Sequence, residues 1–325
     1  MSLPLGAMFQ AVQHRSSQVR KNVFAAGMRR IAFILLLVSG AMAHGETSQM
    51  PLAGLFAFTA YPVDNWELFV WEPASRKPPR QLTHTPFDEK SPAISVDRKH
   101  IAFATTEGEI LVHALDTGDT VRISPRMPGA WDSPSYAPDG RRLAAVYLPP
   151  GSADRAELAI LSLGGEPPQF PLKQFGPQYA PSWSPDGRQL AFGYGHCSNA
   201  CGRVIQEPWT LDMVRGNARQ VLLGGAYAYD FNWSPDSNRL VFARNEELSH
   251  ILMYYDFTAQ RVTPLAAGDE LSDSPCFSPD GRSIAFLSSR DGSRALWVFD
   301  LTSGVSVRIT PPLNTQYGFQ DFAWR

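Results

Sequence analysis

Short alternating runs of apolar and polar residues fill the chain from about residue 52 onward. In the segment PSWSPDGRQLAFGYG, residues 181–195, one such run leads into a Ser-Pro-Asp-Gly turn, and a second run follows the turn. Successive side chains in a strand point to opposite faces, so the segment predicts two β-strands joined by a tight turn. Proline presets φ in such a turn, aspartate bonds the backbone just after it, and glycine accepts a positive φ.

The same hairpin pattern occurs four more times. Its other copies begin at Ser91, Ser133, Phe231 and Ser274. The turn aspartates are separated by 42, 47, 50 and 44 residues, and they are Asp97, Asp139, Asp186, Asp236 and Asp280. A period in the forties with turn residues at fixed offsets indicates an array of similar supersecondary units.

Each hairpin is followed by more alternating runs, such as ILVHALD from Ile110 and VRISP from Val121. They predict a third and a fourth strand in each unit. Four short antiparallel strands with large residues on both faces are typical of one blade of a β-propeller.

The two ends of the repeat pattern complement each other. Residues 55–83 supply the second, third and fourth strands of a blade, whereas Asp321–Arg325 match only the start of a hairpin. We therefore predict an all-β, six-bladed propeller of four-stranded antiparallel blades over residues 52–325, with the C-terminal strand completing the N-terminal blade. An open β-solenoid or two sandwiches of similar hairpins are the alternatives, but a solenoid would need a capping unit at each end.

The first 43 residues predict an export signal. From Met28 the chain has two arginines, an apolar run over 31–38, and small residues at Ala41 and Ala43. This order is typical of a secretory signal peptide cleaved after Ala43, with residues 44–51 as a short linker. Residues 1–27 belong either to an unusually long leader or to a region upstream of a true start at Met28. No segment is long enough to span a membrane, so we expect a periplasmic protein that is not membrane-spanning.

The acidic excess of residues 44–325 and the absence of common catalytic motifs limit the classes of function. Residues 44–325 carry 24 Lys and Arg against 31 Asp and Glu, which argues against nucleic acid as a partner. The sequence contains no G-x-S-x-G, H-E-x-x-H or P-loop motif. These observations favour a protein that is not an enzyme and needs no cofactor, and we expect a monomer.

The pattern S-P-D-G-x-x-[IL]-A-F, followed by D-L-x-x-G and then by L/I-T, resembles the repeat of the TolB-type six-bladed propeller over residues 52–325. The resemblance implies a periplasmic protein that binds another envelope protein, such as a Pal-like lipoprotein, through one propeller face. TolB carries an α/β domain before its propeller. Here only about eight residues separate the expected cleavage site from the first strand, so we expect that domain to be absent. The same blade occurs in scaffolds, lyases and peptidase accessory domains, so the repeat is more specific for the fold than for a function.

The innermost strand of each blade should begin at one end of the central channel, the channel mouth. Six residues stand where these strands begin, and they are Lys90, Asp132, Tyr179, Asp230, Asp273 and Asp321. We expect them to contact a partner or ligand. Four carboxylates near one axis could hold a Ca²⁺-type cation or a basic partner group. Alternatively, each aspartate accepts backbone N–H groups at the start of its strand.

Loops between second and third strands should lie at the same end, where variable loops on a rigid scaffold commonly bind partners. The longest, residues 193–203, contains HCSNACG. In an exported protein Cys197 and Cys201 are expected to form a local disulfide. His196, with His84, is the alternative metal-ligand candidate. Cys276 lies in an innermost strand and is expected to be a small buried residue.

Two functions follow. The first is a non-catalytic protein-interaction module that acts through the channel mouth. The second is a metal-dependent enzyme or binder that acts on a carbohydrate or small ligand at the same place.

Overall fold

The Ser-Pro-Asp-Gly segments form tight turns between antiparallel strands in the computed structural model. Ser184 Oγ donates to Asp186 Oδ1 at 2.7 Å, and the same carboxylate oxygen accepts the backbone N–H of Arg188 at 3.0 Å. Gly187 has φ of 72°. The turn chemistry expected from the sequence is therefore present, and it recurs at Ser278 and Asp280 with an O–O distance of 2.6 Å.

The structure describes residues 52–151, 155–172, 176–197, 204–222, 227–246, 249–265, 271–309, 311, 313 and 318–325. The expected signal peptide and linker, residues 1–51, fall outside these ranges. Within them, no helix has the length and apolar character needed to cross a membrane.

The described residues form 23 strands and one 3-10 helix, Pro73–Ser75. Blade 1 contains β1 (Phe56–Ala60), β2 (Glu67–Trp71) and β3 (Arg80–Gln81), and blade 2 contains β4 (Glu89–Ile94), β5 (His100–Thr105), β6 (Ile110–Ala114) and β7 (Thr120–Arg122). Blade 3 contains β8 (Ala130–Tyr136), β9 (Arg142–Leu148) and β10 (Glu157–Ser162), and blade 4 contains β11 (Gln178–Trp183), β12 (Gln189–Cys197), β13 (Val204–Asp212) and β14 (Ala218–Gln220). Blade 5 contains β15 (Tyr227–Trp233), β16 (Arg239–Glu246), β17 (Ser249–Asp256) and β18 (Arg261–Pro264), and blade 6 contains β19 (Ser272–Phe277), β20 (Ser283–Ser288), β21 (Ala295–Asp300) and β22 (Ser306–Ile309). The last strand, β23 (Phe319–Trp324), belongs to blade 1.

Three details differ from the sequence prediction. The outer edge of blade 3 is a single bridge between Ile160 and Gln169, because three prolines between residues 167 and 171 lack the N–H that a strand ladder needs. The expected loop 193–203 is shorter, since β12 continues to Cys197. A parallel bridge between Gln206 and Tyr227 joins blades 4 and 5, although pairing within each blade is antiparallel.

The C-terminal strand completes the N-terminal blade, as the sequence predicts. In the antiparallel register of β23 and β1, Phe56 lies opposite Trp324 and Phe58 lies opposite Phe322. The rings of Phe56 and Trp324 stack with centroids 4.8 Å apart, and Trp324 Nε1 donates to the carbonyl of Ala53 at 3.0 Å. The chain ends therefore meet within one blade.

The innermost strands of the six blades contact one another in a closed cycle, and they are β4, β8, β11, β15, β19 and β23. Six hydrogen bonds define it: Lys90–Asp132, Trp183–Ser135, Trp233–Ser182, Phe277–Asn232, Cys276–Trp324 and Ser91–Asp321. The last of these returns from β23 to β4, so the six innermost strands surround one axis.

The hydrophobic core lies between neighbouring blades. Large residues of the second strands alternate with alanine, and Phe103, Phe192, Phe242 and Phe286 are fully buried. Phe192 of blade 4, for example, packs with residues of blade 3 such as Leu158. Burial of apolar surface between blades thus holds the six innermost strands in place around the channel.

Candidate functional site

A β-bulge lies in the first half of each of the innermost strands β4, β8, β11, β15 and β19. One residue of each bulge has a positive φ, and these residues are Ser91, Ser133, Ala180, Asp230 and Ser274. Bulges re-aim backbone and side-chain groups at the end of a strand. Here they direct several N–H groups towards the aspartates of the channel mouth.

Register places the six candidate residues at two different positions. Lys90, Asp132, Tyr179 and Asp273 precede the bulge. Asp230 and Asp321 lie within the bulges of their strands, after Tyr229 and Phe319, and Asp230 itself has a positive φ. The sequence analysis took the six as equivalent because the sequence did not show where each bulge begins.

Two of the four carboxylates form ion pairs with basic residues. Lys90 Nζ lies 2.7 Å from Asp132 Oδ2, which links blades 2 and 3. Arg294 binds Asp273 through both terminal nitrogens, at 2.8 and 2.7 Å. Arg294 Nε also donates to the carbonyl of Phe319 at 2.9 Å. The bidentate pair with Asp273 and the bond to Phe319 together connect the channel mouth to the C-terminal strand β23.

The other two carboxylates accept backbone N–H groups from a neighbouring blade. Asp230 Oδ2 accepts the N–H of Ser274 at 3.0 Å, and Asp321 Oδ2 accepts the N–H of Ser91 at 2.9 Å. Neither has an ion-pair partner among the described residues. We call the four aspartates with Lys90 and Arg294 the mouth cluster; it contains two more acidic groups than basic ones.

Burial and mutual repulsion raise two carboxyl pKa values in the mouth cluster. Burial, followed by the charges of Asp273 and Asp321, raises the pKa of Asp230 to about 7. Burial also raises the pKa of Asp321, with the charges of Asp132 and Asp273 adding to the effect. A group that titrates near neutral pH can change its charge when a partner binds.

The central channel opens beside these carboxylates. Its cavity measures about 480 Å³ and is lined by residues of all six innermost strands, including Asp230 and Asp321. A concave site with convergent polar groups is a suitable place for a partner to insert a side chain or short segment.

Tyr179, His84 and His196 are the remaining candidates. Tyr179 is half-buried with its ring over Gly195. His84 is exposed after β3, and His196 lies in β12 stacked on Tyr194 with ring centroids 5.5 Å apart. Over the described part of the chain, no three His, Cys, Asp or Glu side chains converge as a metal site.

The structure describes the side chain of one of the three cysteines, Cys276. Cys201 and the side chain of Cys197 lie outside the described residues, so their disulfide stays a prediction. Cys276 is buried and free, and burial raises its thiol pKa to about 11.

Sequence reasoning missed Arg294 and a buried carboxyl pair beside the mouth. Glu67 and Glu89 are 4% and 0% exposed and lie close enough for the charge of one to affect the other. Thr83 Oγ1 and Thr85 Oγ1 donate to Glu89 at 2.8 and 2.6 Å. Burial raises the pKa of Glu89 to about 7, and the charge of Glu67 adds to this effect. The only sequence signal was a glutamate at the start of an innermost strand, where blade 4 has Gln178.

Comparison with known proteins connects this architecture to one family. The family model described as TolB beta propeller domain matches residues 78–325. TolB from Acinetobacter baumannii superposes with a TM-score of 0.69 at 18% identity, over 83% of this chain and 66% of that one. A putative TolB from Agrobacterium tumefaciens gives a TM-score of 0.65 at 15% identity, over 84% of this chain and 99% of that one.

Sequence relatives match over shorter stretches. The Tol-Pal system protein TolB of Ruthia magnifica is 26% identical over 79 residues, which is 24% of this chain and 19% of that protein. Dipeptidyl-peptidase 5 of Porphyromonas gingivalis is 32% identical over 96 residues, which is 25% of this chain and 14% of that protein. The matched segments are thus a small part of each relative. Because the family model covers most of the repeats, the chain belongs to the TolB beta propeller domain family.

Proposed function

We propose that this chain is an exported, periplasmic protein-interaction module that binds an envelope protein at the channel mouth and catalyses no reaction. The observation that carries the proposal is the excess of carboxylates in the mouth cluster. Lys90 and Arg294 are already paired, whereas Asp230 and Asp321 line the channel and form no ion pair among the described residues. A basic group of a partner would complement this charge.

Membership of the TolB beta propeller domain family also supports a protein-interaction function. One relative is named for the Tol-Pal system, and the TolB-type resemblance implies docking of a Pal-like lipoprotein on one propeller face. A Pal-like lipoprotein is therefore the first partner to test. The alternative, a metal-dependent enzyme acting on a carbohydrate, has a structural parallel in an oligogalacturonate lyase in complex with manganese, with a TM-score of 0.55. No contact among the described residues favours this alternative.

Paired charge-neutral variants test the proposal. In Asp230→Asn with Asp321→Asn, each side chain keeps an oxygen that can accept the N–H of Ser274 or Ser91, so the bulges should stay intact. The matched control is Asp186→Asn with Asp280→Asn, which makes the same two replacements in the turns at the opposite ends of the strands.

Binding to the purified Pal-like lipoprotein of the same organism is measured by calorimetry, and capture from a periplasmic extract by mass spectrometry. We expect the wild type and the control to bind the same protein and the mouth variant to lose it. Equal binding by the mouth variant would refute the site. Mass spectrometry of the exported chain should find His44 as its first residue.

A further inference from the structure

A second charged site lies on the outer edge of blade 4, away from the channel mouth. A depression of about 260 Å³ is lined by Arg188, Arg215 and Arg219, with Thr210, Asp212 and Asn217 among the other residues around it. Three guanidinium groups against one carboxylate leave a local charge of about +2. The charge stands out because residues 44–325 as a whole carry more Asp and Glu than Lys and Arg.

Backbone contacts bring the arginines together. The N–H of Met213 donates to the carbonyl of Arg188 at 2.8 Å, which ties the turn before β12 to the turn after β13. Gly216 N–H donates to the carbonyl of Asp212 at 2.8 Å and closes the turn that carries Arg215. The positions of Arg188 and Arg215 are thus set by backbone hydrogen bonds rather than by chance contacts of long side chains.

The side chains have few competing partners. Arg219 lies opposite Thr210 in the β13–β14 register, with Nε 3.4 Å from Thr210 Oγ1 and its guanidinium 5.5 Å from the Phe257 ring centroid. Asp212 Oδ1 accepts the N–H groups of Val214 and Arg215, both at 2.9 Å. Only Asp212 Oδ2 remains for the Arg215 side chain, at 3.4 Å. One carboxylate therefore does not neutralise the three guanidinium groups.

Internal comparison shows that the fold does not require two of these arginines. The equivalent of Arg215, one residue before the turn glycine, is Thr117 in blade 2 and Ser303 in blade 6. The equivalent of Arg219, opposite the same position of the third strand, is Val121 in blade 2 and Val307 in blade 6. A basic residue at the position of Arg188 is shared, since blade 6 has Arg282 there. Blade 4 therefore adds two guanidinium groups at positions where blades 2 and 6 have small polar or apolar residues.

From this arrangement we infer that the outer edge of blade 4 binds a phosphate group through Arg188, Arg215 and Arg219. Guanidinium groups bind tetrahedral oxyanions through two parallel N–H···O bonds. A phosphate monoester carries a charge of about −1.5 to −2 near neutral pH, which matches the local excess of positive charge better than a single carboxylate does. Asn217 can add a neutral donor from its amide. The phosphate can come from a soluble metabolite or from a lipid headgroup.

Calorimetry with inorganic phosphate at constant ionic strength tests the site on the full-length exported chain. The test variant is Arg215→Gln with Arg219→Gln, and the matched control is Arg282→Gln in blade 6. Both arginines of the test variant are exposed, so the fold should be retained, which circular dichroism checks. We expect the dissociation constant to rise about tenfold or more in the test variant and to change by less than about twofold in the control.

Vesicle flotation separates the two sources of phosphate. Phosphatidylcholine vesicles with and without phosphatidic acid are compared for the same three proteins. Arginine-dependent flotation only with phosphatidic acid supports the site with a lipid headgroup as ligand. Calorimetric binding without flotation supports it with a soluble phosphate. The inference is overturned if neither phosphate nor phosphatidic acid distinguishes the wild type from the test variant, or if Arg282→Gln loses as much binding.

Discussion

The buried pair of Glu67 and Glu89 makes stability depend on pH in a direction that can be measured. Both carboxyl groups are buried at the seam of blades 1 and 2, where burial and the charge of Glu67 favour the protonated form of Glu89. The perturbation is Glu89→Gln, which keeps the shape of the side chain but cannot titrate. Blade 4 already has an amide at the equivalent position, Gln178, which donates to the carbonyl of Gly176 at 2.8 Å.

The magnitude follows from the pKa. Burial, together with the charge of Glu67, holds the pKa of Glu89 at about 7, against 4.5 for an ordinary glutamate. The folded chain therefore binds this proton more tightly than the unfolded chain does. The stabilising contribution is full below about pH 4.5 and is lost as the pH rises through about 7. At about 1.4 kcal/mol for each pKa unit, the loss is about 3 kcal/mol between pH 4.5 and pH 8.

Urea unfolding followed by tryptophan fluorescence at pH 5 and pH 8 measures the free energy of unfolding. Asp230 titrates in the same range and also makes the free energy of unfolding depend on pH. We therefore compare the change in this free energy between pH 5 and pH 8 in the wild type with the change in Glu89→Gln. We expect the variant to lose about 2.5 kcal/mol less than the wild type over this interval. Equal losses would refute the raised pKa of Glu89. Thr85→Val, which removes the hydroxyl bound to Glu89 but keeps both carboxyl groups, should retain the pH dependence.

Three further predictions concern the closing strand, the mouth and the free thiol. Trp324→Ala should lower the free energy of unfolding by about 3–5 kcal/mol, because it removes a buried aromatic ring from the blade that joins the chain ends; Val214→Ala, at a side chain 81% exposed, should leave it unchanged. Arg294→Ala should lower the free energy of unfolding in urea by about 1–3 kcal/mol, because Asp273 loses both of its hydrogen bonds to the guanidinium. A change no larger than that of Val214→Ala would contradict this. Cys276 should not react with a thiol reagent at pH 8 in the folded chain and should react in guanidinium chloride, since burial raises its pKa to about 11; rapid labelling of the folded chain would show that it is accessible.

The repeat predicted which part of each blade carries the acidic residues, because turn chemistry and alternation are local. Asp132, Asp230, Asp273 and Asp321 each lie within three residues of the start of an innermost strand, but at two different positions relative to the bulges. Their partners could not be read in the same way. Arg294 lies 21 residues after Asp273 in a loop with no repeat signal, and its pairing depends on where β21 begins relative to β19.

The sequence by itself determined the number of blades, the tight turns and the closure by the last strand, because these depend on residues close together in the chain and on two complementary ends. The tertiary structure alone decided which charges meet. Glu67 faces Glu89, and Arg215 lies beside Arg188 and Arg219, only because strands from different parts of the repeat are packed side by side. Electrostatic energies depend on distance and burial, which the order of residues does not specify until the blades assemble.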